Sequence, residues 1–223
     1  MEIKKQPLWL SKLPNRLTWL RILCIPFVVS LLLYSRPAQD PPYFFAIIPQ
    51  TPSTVDIIAA IIFALAALTD FLDGWIARKF KLETVLGKLL DPLADKLLIV
   101  SSLIILVEKH RLLGWVAVLI IVRDLGINAI RLSAIDENIH IPSNVVGKFK
   151  TTLLDIGIIG LIIHGPLFSI PFHLIGIISI FLALLASIVS AFQYLWFYAY
   201  ELNKRKIKAI DKKSKIEEKS TLD

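Results

Sequence analysis

Apolar runs of about twenty residues decide what this chain can become, because that is the length an α-helix needs to cross a hydrocarbon core. Such runs recur between Leu17 and Tyr200. The first is Leu17–Tyr34, with Pro26 as a tolerable kink inside a bundle. A second runs from about Asp56 through Leu72 and on to Lys79, and a third from Val85 to Val107 with Pro92 near its entry. Leu112 to Ser133 is the fourth, and the fifth runs to Ile163 behind a candidate N-cap at Ser143. The sixth, His173 to Tyr200, ends in Tyr194, Trp196, Phe197, Tyr198 and Tyr200, rings suited to the headgroup level. The expected fold is therefore all-α: an integral membrane bundle of six transmembrane helices. Ahead of it, Leu8, Trp9 and Leu10 beside Lys4, Lys5 and Lys12 predict a short interfacial helix within residues 1–14. Five prolines between Pro37 and Pro52 predict a loop over 35–55.

At 223 residues and 56% hydrophobic, the chain reads as one membrane domain over 1–202, followed by a Lys-rich tail, 203–223, expected to be disordered. The single cysteine, Cys24, excludes an intrachain disulfide, and the opening residues lack the pattern of a cleaved signal peptide. No internal repeat is visible. The formal charge is +7, and its placement carries more information than its size. With six spans, most of the 25 Lys and Arg fall on the side of the termini, against Arg36, Lys109 and Arg111 on the other. The positive-inside rule then puts both termini in the cytoplasm, in a multi-pass protein of the cytoplasmic membrane. No nucleic-acid partner is expected.

Four acids interrupt this apolar chain. The stretch from Asp70 to Asp95 reads DFLDGWIARKFKLETVLGKLLDPLAD and crosses from the second run into the third. Acids at membrane depth are costly and face water, a cation or both. Asp70 and Asp73 are i,i+3 on one helix, and Gly87, Asp91 and Asp95 are i,i+4,i+8 on the next, so each set shares a face. In an antiparallel hairpin the four carboxylates converge, and they repel unless cations sit between them. Hard oxygen ligands suit Mg2+ or Mn2+. A charged interfacial hairpin without chemistry is the bland alternative.

The pattern Asp70-x2-Asp73-Gly74-x2-Ala77-Arg78-x8-Gly87-x3-Asp91-x3-Asp95 resembles the signature of the CDP-alcohol phosphotransferase family at all eight fixed positions. The resemblance implies an enzyme in which an alcohol attacks the β-phosphorus of a CDP-linked lipid and expels CMP. It implies two divalent cations, Mg2+ or Mn2+, held by Asp70, Asp73 and Asp91, with Asp95 as a ligand or as the general base. It also implies a homodimer. Gly74 and Ala77 leave room for a base or ribose, or for close helix packing. Arg78 has a fork suited to phosphate or the cytosine edge. Thr84 either touches the nucleotide or caps the third helix. Pro14 to Arg21 is similar to the family's entry motif PNxLTxxR, which adds Asn15, Thr18 and Arg21 as CDP-lipid contacts, with interfacial anchoring as the alternative.

The acceptor needs a pocket of its own. Arg123 and Arg131 are i,i+8 on the fourth run, with Asp124 and Asn128 adjoining, and Lys148 and Lys150 open the fifth. Several cations around one cavity suit a phosphate-bearing alcohol. The surrounding residues are similar to the phosphatidylglycerophosphate synthase branch, although Asp124 stands where that branch leads one to expect Glu. CDP-diacylglycerol and glycerol 3-phosphate are the implied substrates. Phosphatidylglycerol as acceptor, making cardiolipin, is the runner-up, and the competing role for the cations is pairing with Asp124 and binding of anionic membrane lipids. A cation transporter would also use intramembrane acids, but it would show repeats and broken helices. Asp155, His164 and the 35–55 loop stay unassigned.

Overall fold

The computed structural model describes residues 8–37, 51–80, 85–137 and 145–220; side chains are described over 19–37, 51–69, 93–94, 96–134, 137 and 149–205. Six α-helices make up nearly all of it: α1 Leu8–Tyr34, α2 Thr54–Phe80, α3 Val85–Glu108, α4 Gly114–Asp136, α5 Val145–Ile163 and α6 Phe172–Ser220. A two-residue antiparallel pairing, Pro166–Leu167 (β1) with Ile170–Pro171 (β2), turns the chain from α5 into α6. The all-α expectation holds. Among the described residues one helix segment, Phe172–Arg205, is long and apolar enough to cross a membrane, and Trp19–Tyr34 and Thr54–Thr69 are shorter apolar helices.

The chain departs from its sequence reading in three places. α1 is one helix from Leu8 to Tyr34, not a separate interfacial helix followed by a span. Pro14 is its seventh residue, and a single missing amide bond there does not end a helix flanked by good helix formers. α6 continues as helix to Ser220, through most of the stretch expected to be disordered. That stretch has no Gly or Pro and is rich in Lys and Glu, and the Glu201–Lys204 pair sits at helical i,i+3 spacing. The β1–β2 hairpin is too short to leave a periodic signal. Ser143 and positions 38–50 of the expected loop lie outside the described residues.

The core joins all six helices. Leu32 of α1, Phe63 of α2, Leu103 and Leu106 of α3, Ile120 of α4, Leu154, Ile158 and Leu161 of α5, and Ile180 of α6 are all buried. Facing outward, Leu23, Phe27, Ile61, Leu65, Val122 and Phe192 are exposed, an apolar belt far larger than a soluble monomer carries. α1 packs on α2 and α3, α4 on α6, and α5 makes its broadest contact with α6.

That last contact depends on small residues. A β-carbon added at Gly160 would fall 2.6 Å from the Cα of Gly176, and one at Gly176 would fall 2.8 Å from the backbone nitrogen of Leu161. The two backbones touch, as helices do across small-residue seams where no water drives association. Gly160→Ala forces them apart and is expected to cost ~1–3 kcal/mol by overpacking. Gly126→Ala, where a β-carbon meets nothing within 4 Å, is the control and should be neutral or slightly stabilising. Thermal unfolding in detergent checks both, and equal midpoints for the two variants would disprove the tight crossing.

Candidate active site

The backbone carries the acid motif on two regular helices. α2 is unbroken to Phe80, so Asp70, Asp73, Gly74, Ala77 and Arg78 keep helical spacing in its second half. α3 is helical from Val85, so Gly87, Asp91 and Asp95 keep theirs, and Pro92 is accommodated within it. The acid-bearing ends are the two that residues 81–84 connect, and α2 and α3 touch one another. A link of that length cannot separate them far. The side chains of these residues, and those of Asn15, Thr18 and Lys148, lie outside the described set, as does Thr84 altogether. Among the described residues no group of three or more His, Cys, Asp or Glu gathers. Four carboxylates at these register positions are a hard-oxygen donor set of the kind that suits a small divalent cation.

Of the expected CDP-lipid contacts, Arg21 is described, and it is fully buried in α1. An arginine serving as an interfacial anchor would lie at the surface with its charge in water. Burial therefore sets Arg21 apart from that alternative.

The expected acceptor cations divide into two groups. Arg123 donates from Nε to the Ser187 carbonyl of α6 at 2.7 Å and from Nη1 to Asp124 Oδ1 at 3.1 Å. Lys150 of α5 is buried and donates to the same carboxylate oxygen. Arg123 of α4 and Lys150 of α5 thus share one acid, and Lys96 of α3, the sequence neighbour of Asp95, lies within electrostatic range of Lys150. Lys96 was missed in the sequence because a lone lysine in a span looks like a snorkelling residue; its adjacency to Asp95 was the available signal.

Arg131 is not brought into this cluster. Eight residues along α4, about 12 Å away, its Nη2 donates to the Tyr194 hydroxyl at 2.9 Å, and its guanidinium lies 5.3 Å from the centroid of the Tyr194 ring. The paired arginines of the sequence reading therefore have different neighbours.

Asp124 is what allows Lys150 to stay buried as a cation. Asp124→Asn removes the acid that Lys150 and Arg123 share. The expected loss is about 2 kcal/mol, between the surface and fully buried cases, since Asp124 is partly exposed. Adding Lys150→Met to Asp124→Asn should recover much of it. A double variant no more stable than Asp124→Asn in chemical denaturation would show that the pair is not what holds these helices.

Residues 11–192 match the family model described as CDP-alcohol phosphatidyltransferase. The chain is 32% identical over 189 residues to the CDP-diacylglycerol–glycerol-3-phosphate 3-phosphatidyltransferase of Bacillus subtilis, covering 82% of this chain and 92% of that one. It is 33% identical over 187 residues to a probable phosphatidylglycerophosphate synthase of Mycobacterium tuberculosis, covering 83% and 80%. The Haemophilus influenzae CDP-diacylglycerol–glycerol-3-phosphate 3-phosphatidyltransferase is 32% identical, with 82% and 91% covered. This chain belongs to the CDP-alcohol phosphatidyltransferase family.

Proposed function

We infer that this protein transfers the phosphatidyl group of CDP-diacylglycerol to glycerol 3-phosphate, releasing CMP and forming phosphatidylglycerophosphate. The reading is carried by the complete acid motif on regular α2 and α3, and supported by relatives whose names state that reaction. Asp70, Asp73 and Asp91 hold two divalent cations, Mg2+ or Mn2+, with Asp95 as a ligand or as the base. When bound, such cations neutralise the pyrophosphate and the departing CMP. The rest of the work falls to the chain. Asn15, Thr18, Arg21, Gly74, Ala77, Arg78, Thr84 and Gly87 seat the CDP-lipid. Asp95, last in the row of acids, takes the proton of the attacking hydroxyl, and a base there needs only hydrogen-bond reach.

Arg123, Lys148 and Lys150 receive the acceptor phosphate, and Arg131 lies further along the same path. The clustering of Arg123 and Lys150 around one partly exposed acid supports this, because an arriving dianion relieves the repulsion among the cations. The apolar belt and the Phe172–Arg205 segment support a bundle that crosses the cytoplasmic membrane six times, with both termini and the active site on the cytoplasmic side. A homodimer is part of the proposal through the family.

Two measurements test it. With purified protein, CDP-diacylglycerol and glycerol 3-phosphate, CMP release should stop on chelation and return with Mg2+ or Mn2+; Asp95→Asn should lower kcat by roughly 10²-fold or more, the scale of a lost general base. Full turnover after exhaustive chelation would remove the cations from the mechanism, and near-normal kcat in Asp95→Asn would move the base elsewhere.

Offered glycerol 3-phosphate and phosphatidylglycerol together, the enzyme should make phosphatidylglycerophosphate. Arg123→Ala should raise KM for glycerol 3-phosphate at least tenfold and scarcely change that for CDP-diacylglycerol, with a smaller effect from Arg131→Ala. Cardiolipin as the main product would reassign the acceptor while leaving the CDP-alcohol chemistry in place.

A further inference from the structure

The opposite end of the bundle has a polar site of its own. Asp56, in the first turn of α2, is fourteen residues before Asp70, so about 21 Å of helix separates it from the acid motif. Ser53 caps α2: its Oγ accepts from the Asp56 amide at 3.2 Å, and Asp56 Oδ2 accepts from the Ser53 amide and hydroxyl at 2.9 and 2.6 Å. Arg111, in the turn between α3 and α4, donates from Nη1 to Asp56 Oδ1 at 2.8 Å and to the Ile162 carbonyl at 2.6 Å. Its Nη2 donates to Ser35 Oγ at 2.8 Å and to the Arg36 carbonyl at 2.9 Å. Ser35 Oγ in turn donates to Asp56 Oδ1.

Beside this network lies a cavity of about 820 Å3, lined by Arg36, Thr51, Thr54, Asp56, Arg111 and His164 among others. Its size is that of a small-molecule site. Both oxygens of Asp56 are already taken, each by two donors. Donors are what remain. Among the described residues Arg111 Nε is buried without a hydrogen-bond partner, and so are both ring nitrogens of His164, whose residue is 2% exposed. Arg36 adds an exposed guanidinium, Thr51 and Thr54 add hydroxyls, and Ser53 and Thr54 bring the positive end of the α2 dipole to the cavity wall.

His164 occupies an unusual backbone position. It closes α5 with a φ of 53°, the left-handed conformation that glycine usually supplies, and Gly165 follows it in the chain. Holding a β-carbon there costs ~1 kcal/mol or more, and burying an imidazole without a partner adds to that. Burial, and after it the charges of Arg111 and His173, push the imidazole down to about 4, so at neutral pH it offers one N–H and one lone pair. A ligand that accepts from His164 and Arg111 offsets both costs.

We propose that this cavity is a binding site for a phosphate-bearing anion, separate from the catalytic end and formed by Arg36, Arg111, His164 and the N-terminus of α2. The same chemistry admits inorganic phosphate or the phosphate of a lipid headgroup. The test is thermal unfolding of the full chain. In detergent, inorganic phosphate is titrated against chloride at matched ionic strength; in nanodiscs, phosphatidylglycerol is compared with phosphatidylcholine. The wild type should show a saturable rise in midpoint with one of these ligands. Arg36→Gln should weaken the apparent affinity at least tenfold, and Lys204→Gln, an exposed cation on α6 outside both sites, should leave it unchanged.

A response to phosphate in detergent that persists in phosphatidylcholine nanodiscs identifies a soluble anion. A response confined to phosphatidylglycerol nanodiscs identifies a headgroup. His164→Phe keeps the ring volume and removes both nitrogens, and it should match Arg36→Gln; because Arg36 is exposed, its variant decides the matter should His164→Phe fail to fold. No saturable response in the wild type, or one that Arg36→Gln leaves intact, overturns the proposal.

Discussion

A charge moved out of water into an apolar bundle must be compensated where it sits, and the two ends of this bundle meet that demand in opposite ways. At the Asp56 end the compensation is complete for the acid. Arg111 and two serines occupy both carboxylate oxygens, and Arg111 also takes two backbone carbonyls, so the end of α1, the start of α2, the α3–α4 turn and the end of α5 are tied at one point. Removing either partner of such a pair leaves a buried charge alone, typically at ~3–5 kcal/mol. At the other end the compensation is partial. Arg123 and Lys150 share the partly exposed Asp124, with Lys96 in electrostatic range of Lys150, and the motif places four acids on α2 and α3. At the first end the acid itself is fully satisfied, whereas at the second the acid Asp124 is shared by two cations and partly open to solvent.

How much of this was legible follows from the range of each interaction. The limits of α2 to α5 were readable to within a few residues, since long apolar runs with turn residues between them leave little choice. The acid motif was readable because helical spacing alone puts Asp70 with Asp73 and Asp91 with Asp95. Arg123 beside Asp124 was visible as a neighbour pair. That Lys150 completes it was not, because twenty-six residues and a helix connection intervene. Arg111 and Asp56 are fifty-five residues apart and were seen separately, one as a loop charge and the other as a helix start. The capping box of Ser53 and Asp56 was in plain view as Ser-x-x-Asp, and reading α2 from Asp56 missed it. Pro14 and the lysines after Tyr200 misled in the opposite sense. Each weakens a helix locally, and neither ends one.

The cation cluster can be that unfavourable because its scaffold is rigid. Lys150 is seven residues before Gly157 on α5, and Ser187, whose carbonyl holds Arg123, is eleven residues after Gly176 on α6. About 15 Å of helix away from both, toward the α5–α6 turn, the two backbones meet at Gly160 and Gly176 with no side chain between them. A crossing that close cannot slide to let Lys150 reach water without breaking backbone contact, so the repulsion among Lys150, Arg123 and Lys96 is held by packing and not relaxed by motion. Asp124 moderates it and, being partly exposed, does so only in part. On the proposed function, a phosphate dianion reaching Arg123 and Lys150 would meet donors that packing has already oriented. Little of its binding energy would go into reordering side chains, and more would be left to hold the attacking hydroxyl near the acids of α2 and α3. The glycine seam would then bear on how firmly the acceptor is held, by fixing the two helices that carry Lys150 and the Ser187 carbonyl.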